Sequence, residues 1–194
     1  ADVKEHLTAE NAYREAMLAS TEPLQATMFE EMKGRIKQDD SSVPSPDGPW
    51  EYYTEYKTGD QHPRYMRRTR MPTQAERDAR PGLMPVIAVQ ELLDANALAE
   101  GKTYSDVGDT AYSPDHALFG YSEDAQGSEV YRIYAKDLAT GQLVGEPIES
   151  ASDGLTFSPD SQWIFWTNRN DNGRPDKIFR RPARGGAITL VYEE

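Results

Sequence analysis

A serine nucleophile presented on a strained strand-to-helix turn needs the pentapeptide Gly-x-Ser-x-Gly, and this sequence contains none. Its three imidazoles are His6 in a helix-like stretch, His62 beside a turn and His116 just after Ser113-Pro114-Asp115. None stands in a triad context, so each is expected to play a structural role at the surface. The adjacent carboxylates Asp39-Asp40, Glu123-Asp124 and Glu193-Glu194 are candidates for acid–base work. Neighbours on a strand point to opposite faces, however, and solvated charge is the expectation. Asn168, Asn170, Asn172 and Gly173 imitate the first, third, fifth and sixth positions of an EF-hand loop, but the twelfth is Phe179, which cannot be the bidentate ligand. The stretch Asn168 to Asp176 therefore reads as a long hairpin loop. No glycine-rich phosphate loop is present, and the absence of cysteine removes disulfides, thiolate metal sites and a cysteine nucleophile. The residues assign no catalytic, cofactor-binding or metal-ligating role, and no cofactor is expected.

The formal net charge of -12 repels phosphate backbones and anionic headgroups, so nucleic acid and membrane surfaces are not expected partners. Cationic peptides would be drawn to such a surface, although acidity also serves solubility. With 37% hydrophobic and 28% charged residues the composition suits short half-exposed strands with long loops. No apolar run is long enough for a membrane span and Ala1 to His6 lack signal-peptide grammar. A cytoplasmic location is expected, or a periplasmic one if a signal peptide upstream of Ala1 has been removed.

Two helices are expected over residues 1–38, broken at Ser20 to Pro23, where Ser20 or Thr21 can cap the second helix and Pro23 fits its first turn. Leu24, Met28, Met32 and Ile36 recur every four residues with Phe29 alongside, and part of the surface covering them is expected outside this sequence. The polar connector 39–44 reads as a hinge. Beyond it, Ser45-Pro46-Asp47-Gly48 fits a type I turn, followed by an aromatic strand Trp50 to Tyr56 and an answering strand Pro63 to Thr69. Met71 to Pro85 reads as a flexible surface excursion and Val86 to Leu93 as a strand.

A tandem repeat begins at Thr110. Ser113-Pro114-Asp115 returns as Ser158-Pro159-Asp160, 45 residues on, and without gaps Phe119 aligns with Ile164, Tyr121 with Trp166, Ile133 with Ile178 and Gly141 with Gly186. Each unit reads as turn, strand, loop, strand, Gly-containing turn, strand. A fainter copy starts at Ser45-Pro46-Asp47. The spacing is that of β-propeller blades, and the Asp residues of the turns are expected to bind local backbone. Trp50, Tyr52, Tyr53, Trp163 and Trp166 alternate between sheet faces and are expected to pack against neighbouring blades. The fold class expected is mainly β, a partial, open β-propeller of antiparallel blades over 45–194 preceded by an α-helical segment. Two to three blades cannot close a ring, so a larger protein is expected.

The ordered motifs Asn11-Ala12-Tyr13, Phe29-Glu30-Glu31-Met32-Lys33-Gly34-Arg35-Ile36, Ser42-Val43-Pro44, Trp50-Glu51-Tyr52-Tyr53, Leu92-Leu93-Asp94-Ala95-Asn96 and Ser113-Pro114-Asp115 resemble the amino-terminal region of the prolyl oligopeptidase family, within it the oligopeptidase B branch. The resemblance implies a serine peptidase with a separate α/β-hydrolase domain, a propeller that restricts access to oligopeptide substrates, and cleavage after Lys or Arg. Residues 1–38 would pack on that absent catalytic domain. A free-standing propeller-type binding module is the alternative from another class, and self-association through exposed sheet edges a further one.

Overall fold

The computed structural model describes residues 2–82 and 86–194. The chain divides into two compact units, Ala1–Asp40 with Lys57–Gly59, and Ser41–Tyr56 with Asp60–Glu194. In the first unit, α1 (Asp2–Leu18) runs through a 3-10 turn at Ala19–Thr21 into α2 (Glu22–Gly34). Pro23 sits in the first turn of α2 as expected. The capping expectation is corrected, because Thr21 keeps helical torsions (φ -96°, ψ -6°) and its hydroxyl donates to the Leu18 carbonyl at 2.7 Å. The chain passes from α1 into α2 without the extended residue that a side-chain cap requires. Neither helix buries a residue, and Leu24, Met28, Phe29, Met32 and Ile36 are each 50% to 68% exposed.

The second unit is built from three antiparallel sheets. The first contains β1 (Asp40–Ser41), β2 (Ser45–Asp47), β3 (Trp50–Tyr56), β4 (Arg64–Thr69) and β5 (Val89–Asp94), with β1 and β2 both on the same edge of β3. Helix α3 (Gln74–Ala79) lies between β4 and β5, and α4 (Ala95–Ala99) follows β5, capped by the Asp94 carboxylate. The middle sheet is the meander β6 (Asp106–Tyr112), β7 (Leu118–Asp124), β8 (Tyr131–Asp137) and β9 (Ile148–Ala151). The third is β10 (Leu155–Phe157), β11 (Trp163–Arg169), β12 (Pro175–Pro182) and β13 (Thr189–Glu193).

The repeat has a physical basis in its turns. Ser113 Oγ accepts the Leu118 amide at 2.8 Å and donates to Asp115 at 2.5 Å; Ser158 does the same with the Trp163 amide (2.9 Å) and Asp160 (2.5 Å). Asp115 and Asp160 in turn accept the amides of Ala117 and Gln162, both at 3.1 Å. The faint copy differs. Ser45-Pro46-Asp47 is a strand whose Asp47 pairs with Trp50, which leaves Gly48-Pro49 as a two-residue connection in place of a four-residue turn. The fourth position remains left-handed in all three copies (Gly48 φ 53°, His116 φ 57°, Ser161 φ 60°). In each copy a seven-residue strand starts five residues after the serine.

Three further expectations change. Each complete sheet begins with a strand before its Ser-Pro-Asp turn, so the blade starts at Asp106 and not at Thr110. The presumed excursion contains α3, which Thr73 and Glu76 close with a reciprocal capping box; Leu83, Met84 and Pro85 lie outside the described residues. The loop read over Asn168 to Asp176 shrinks because β11 runs to Arg169 and β12 starts at Pro175, with Asn170 Oδ1 accepting the amides of Asn172 (3.0 Å) and Arg174 (3.1 Å).

Apolar residues of neighbouring sheets share two cores. Tyr52, Leu92 and Leu93 meet Phe119, Tyr121 and Leu138 between the first and middle sheets. Leu118, Ile133 and Ile148 meet Leu155, Phe157, Ile164 and Trp166 between the middle and third. Every residue of β7 is consequently buried, and a Cβ on Gly120 would stand 2.4 Å from Leu155 Cδ1. Ile133 is 0% exposed in the second core. Its replacement, Ile133→Ala, is expected to cost about 2–5 kcal/mol, read as a lower urea midpoint with unchanged slope in tryptophan-monitored unfolding.

Candidate functional site

The three histidines lie apart. His6 is exposed on α1. The backbone of His62 is fixed by Asn96, whose Oδ1 accepts its amide at 2.9 Å and whose Nδ2 donates to its carbonyl at 2.8 Å. His116 meets a tyrosine, with Nδ1 2.8 Å from the Tyr52 hydroxyl. The surface role expected for it becomes a role between sheets, since Tyr52 belongs to β3 and also stacks on Tyr112 of β6 at 3.7 Å and 4°.

Glu123-Asp124 is also corrected. These side chains are 5% and 2% exposed, not solvated. Glu123 pairs with Lys102 and accepts the Ser105 hydroxyl at 3.1 Å. Asp124 ends β7 by accepting the amides of Gln126, Gly127 and Glu129 at 2.8, 3.0 and 2.7 Å, and burial and those amides act on its pKa in opposite directions, with a net lowering. An Asp opening the polar turn Ala125 to Glu129 was the sequence signal for that cap. The aromatics divide in two. Tyr52 and Trp166 are buried, whereas Trp50 and Trp163 carry the guanidinium groups of Arg67 and Arg180 at 4.0 and 4.3 Å.

Polar side chains stitch the sheets at their margins. Between the first and middle sheets, Arg67 donates to the His116 carbonyl (2.7 Å), Gln90 to the Leu138 carbonyl (2.7 Å) and Lys136 to the Leu92 carbonyl (2.9 Å). Between the middle and third sheets, the Asp115 amide donates to Ser161 Oγ (3.0 Å), the Leu155 amide to Asp109 (3.1 Å) and Ser122 Oγ to the Asp153 carbonyl (2.5 Å). Arg184 pairs with Asp137 at 2.6 Å. Arg184, with the Thr140 and Ala139 amides, holds the Asp137 carboxyl at about 2.

One cleft of about 340 Å³ opens beside the middle sheet, lined by Lys102, Glu123, Tyr134, Arg132, Glu149, Ser150 and the β7–β8 turn. None of these was singled out by sequence pattern except Glu123, because Lys102 and Glu149 reach the cleft from distant loops and strands. Ion pairs and hydroxyls of this kind bind and orient a polar ligand.

Four-stranded antiparallel meanders stacked face to face, each with a Ser-Pro-Asp turn between its first and second strands, define the blades of a β-propeller. The sequence profile described as "Prolyl oligopeptidase, N-terminal beta-propeller domain" matches residues 1–183, and the chain belongs to that family. It is 36% identical over 194 residues to dipeptidyl aminopeptidase BI of Pseudoxanthomonas mexicana, covering 97% of this chain and 27% of that protein. Among solved structures, oligopeptidase B from Leishmania major superposes with a TM-score of 0.83 at 27% identity, over 99% of this chain and 26% of that one. Oligopeptidase B from Trypanosoma brucei with covalently bound antipain, in a closed form, gives 0.79 at 25% identity, over 100% and 26%. The chain thus spans about a quarter of the length of the relatives it matches.

The clasp at the edge of the middle and third sheets is pH-dependent. Because folding lowers the Asp137 pKa from the ordinary carboxylate value near 3.8 to about 2, its contribution is complete above that ordinary value and is lost as pH falls toward 2. Arg184→Gln is therefore expected to destabilise the chain at pH 6 and to match the unmodified protein near pH 2, with the Asp137 carboxyl titrating higher by NMR.

Proposed function

We propose that this chain is the non-catalytic propeller part of a serine oligopeptidase, in which the whole protein hydrolyses oligopeptides after Lys or Arg and the propeller restricts access. The match of residues 1–183 to the propeller profile carries this reading; the Lys/Arg preference is what the motif resemblance to the oligopeptidase B branch implies, and the chain superposes on solved structures of that name. The serine, aspartate and histidine of the reaction belong to a separate domain, the three histidines here lying apart from one another, with His116 engaged by Tyr52. Residues 1–38 form a helical arm whose exposed Leu24, Met28, Met32 and Ile36 cover that domain, and 39–44 act as the hinge. The oligopeptide is the substrate partner, and the location proposed is the cytoplasm or, as the alternative, the periplasm, no helix among the described residues being long and apolar enough to cross a membrane.

A fluorogenic Arg or Lys peptide assay tests the division of labour. The 194-residue chain is expected to give no turnover, and the gene product that extends it is expected to cleave both substrates and to lose activity with a serine-directed organophosphate. Turnover by the purified chain would overturn the reading, as would an inert full-length protein.

A further inference from the structure

The cleft beside the middle sheet carries charges in an alternating row. Lys102 pairs with Glu123; Glu123 stands directly across the β7–β8 ladder from Arg132; and Arg132 donates through Nε to Glu149 of β9 at 2.7 Å. The four charges sum to zero in a protein of net charge -12. A neutral site with separated charges discriminates against simple cations and anions, each of which meets a repelling group beside its attracting one, and favours a ligand that bears both signs.

A second feature shapes the same wall. Tyr131 pairs with Ala151 and Ile133 with Ile148, so Glu149 and Ser150 form a bulge opposite Arg132. Ser150 adopts φ 57°, a conformation unfavourable for a non-glycine residue. Arg132 and Glu149 are both 59% exposed, and Arg132 lies beside the Tyr134 hydroxyl. With Nε engaged by Glu149 and the Tyr134 hydroxyl beside the guanidinium, the terminal N–H groups can still donate to a carboxylate, and the second oxygen of Glu149 can accept from an ammonium group. Neighbouring strands lie about 4.8 Å apart, and two extended residues reach about 7 Å. Two extended residues therefore reach from β8 to β9, the strands that carry Arg132 and Glu149.

We propose that this cleft binds the zwitterionic form of a short free peptide, a dipeptide in particular, with its C-terminal carboxylate on Arg132 and its terminal ammonium on Glu149. The inference rests on cleft chemistry and is independent of whether the whole protein is a peptidase. The volume of about 340 Å³ accommodates such a ligand.

The test is an amide-resolved NMR titration of the 194-residue chain with Ala-Ala, alongside N-acetyl-Ala-Ala-amide of the same size and no charge. Saturable shifts at Arg132, Tyr134 and Ser150 are expected with Ala-Ala at millimolar concentration, with at least about tenfold weaker binding of the blocked peptide. Arg132→Gln and Glu149→Gln, both at exposed positions, are each expected to weaken Ala-Ala binding about tenfold while leaving the rest of the spectrum in place. Absence of saturable shifts, or equal binding of the blocked peptide, overturns the proposal. The comparison of the two peptides on the unmodified chain decides the matter even if a substitution disturbs folding.

Discussion

A sheet with two apolar faces must be covered twice, and the middle sheet of this protein depends on that condition. Leu118 and Ile133 look one way, Phe119 and Tyr121 the other, and no residue of β7 is left to solvent. Neither neighbouring sheet alone would suffice. The polar links at the margins follow from the same stacking, because only when the faces close do Lys136 and Arg67 reach carbonyls on the adjoining element. Each of these backbone links pairs a side chain of one element with the backbone of the next, as carbonyl acceptor for Arg67, Gln90, Lys136 and Ser122 and as amide donor to Ser161 and Asp109, which places little demand on sequence in the backbone partner.

Strand positions were legible because alternation of large residues dictates them. Trp50 to Tyr56 is a strand over the expected residues, and Ser113 and Ser158 mark two turns with the same hydroxyl chemistry. Ser45-Pro46-Asp47 shows the limit of such reading. The same three residues enter a strand there, since pairing of Asp47 with Trp50 becomes possible once glycine and proline supply a two-residue connection. The helical arm was legible as amphipathic, but a hydroxyl that caps on paper bonded backward to Leu18 because the chain never left helical torsions.

Site residues were much less legible. Glu123-Asp124 looked like solvated charge because adjacency in sequence carries no information about Lys102, 21 residues earlier, or about a turn that folds its amides back onto Asp124. Arg132 and Glu149 become neighbours only through the β8–β9 pairing and its bulge. Repeat patterns record what all blades share, whereas the cleft is made from what one blade has alone. The family assignment escapes that limit because it rests on an ordered series of motifs along nearly the whole chain.

The meander order β6-β7-β8-β9 and β10-β11-β12-β13 has a kinetic consequence. Every strand finds its partner next to it in the chain, so loop closures within a sheet are short and inexpensive in entropy. Each sheet can form as it leaves the ribosome, before its successor has been synthesised. The middle sheet would then stand for a time with one apolar face open, and the rate at which the third sheet arrives sets how long the nascent chain is exposed to misassociation.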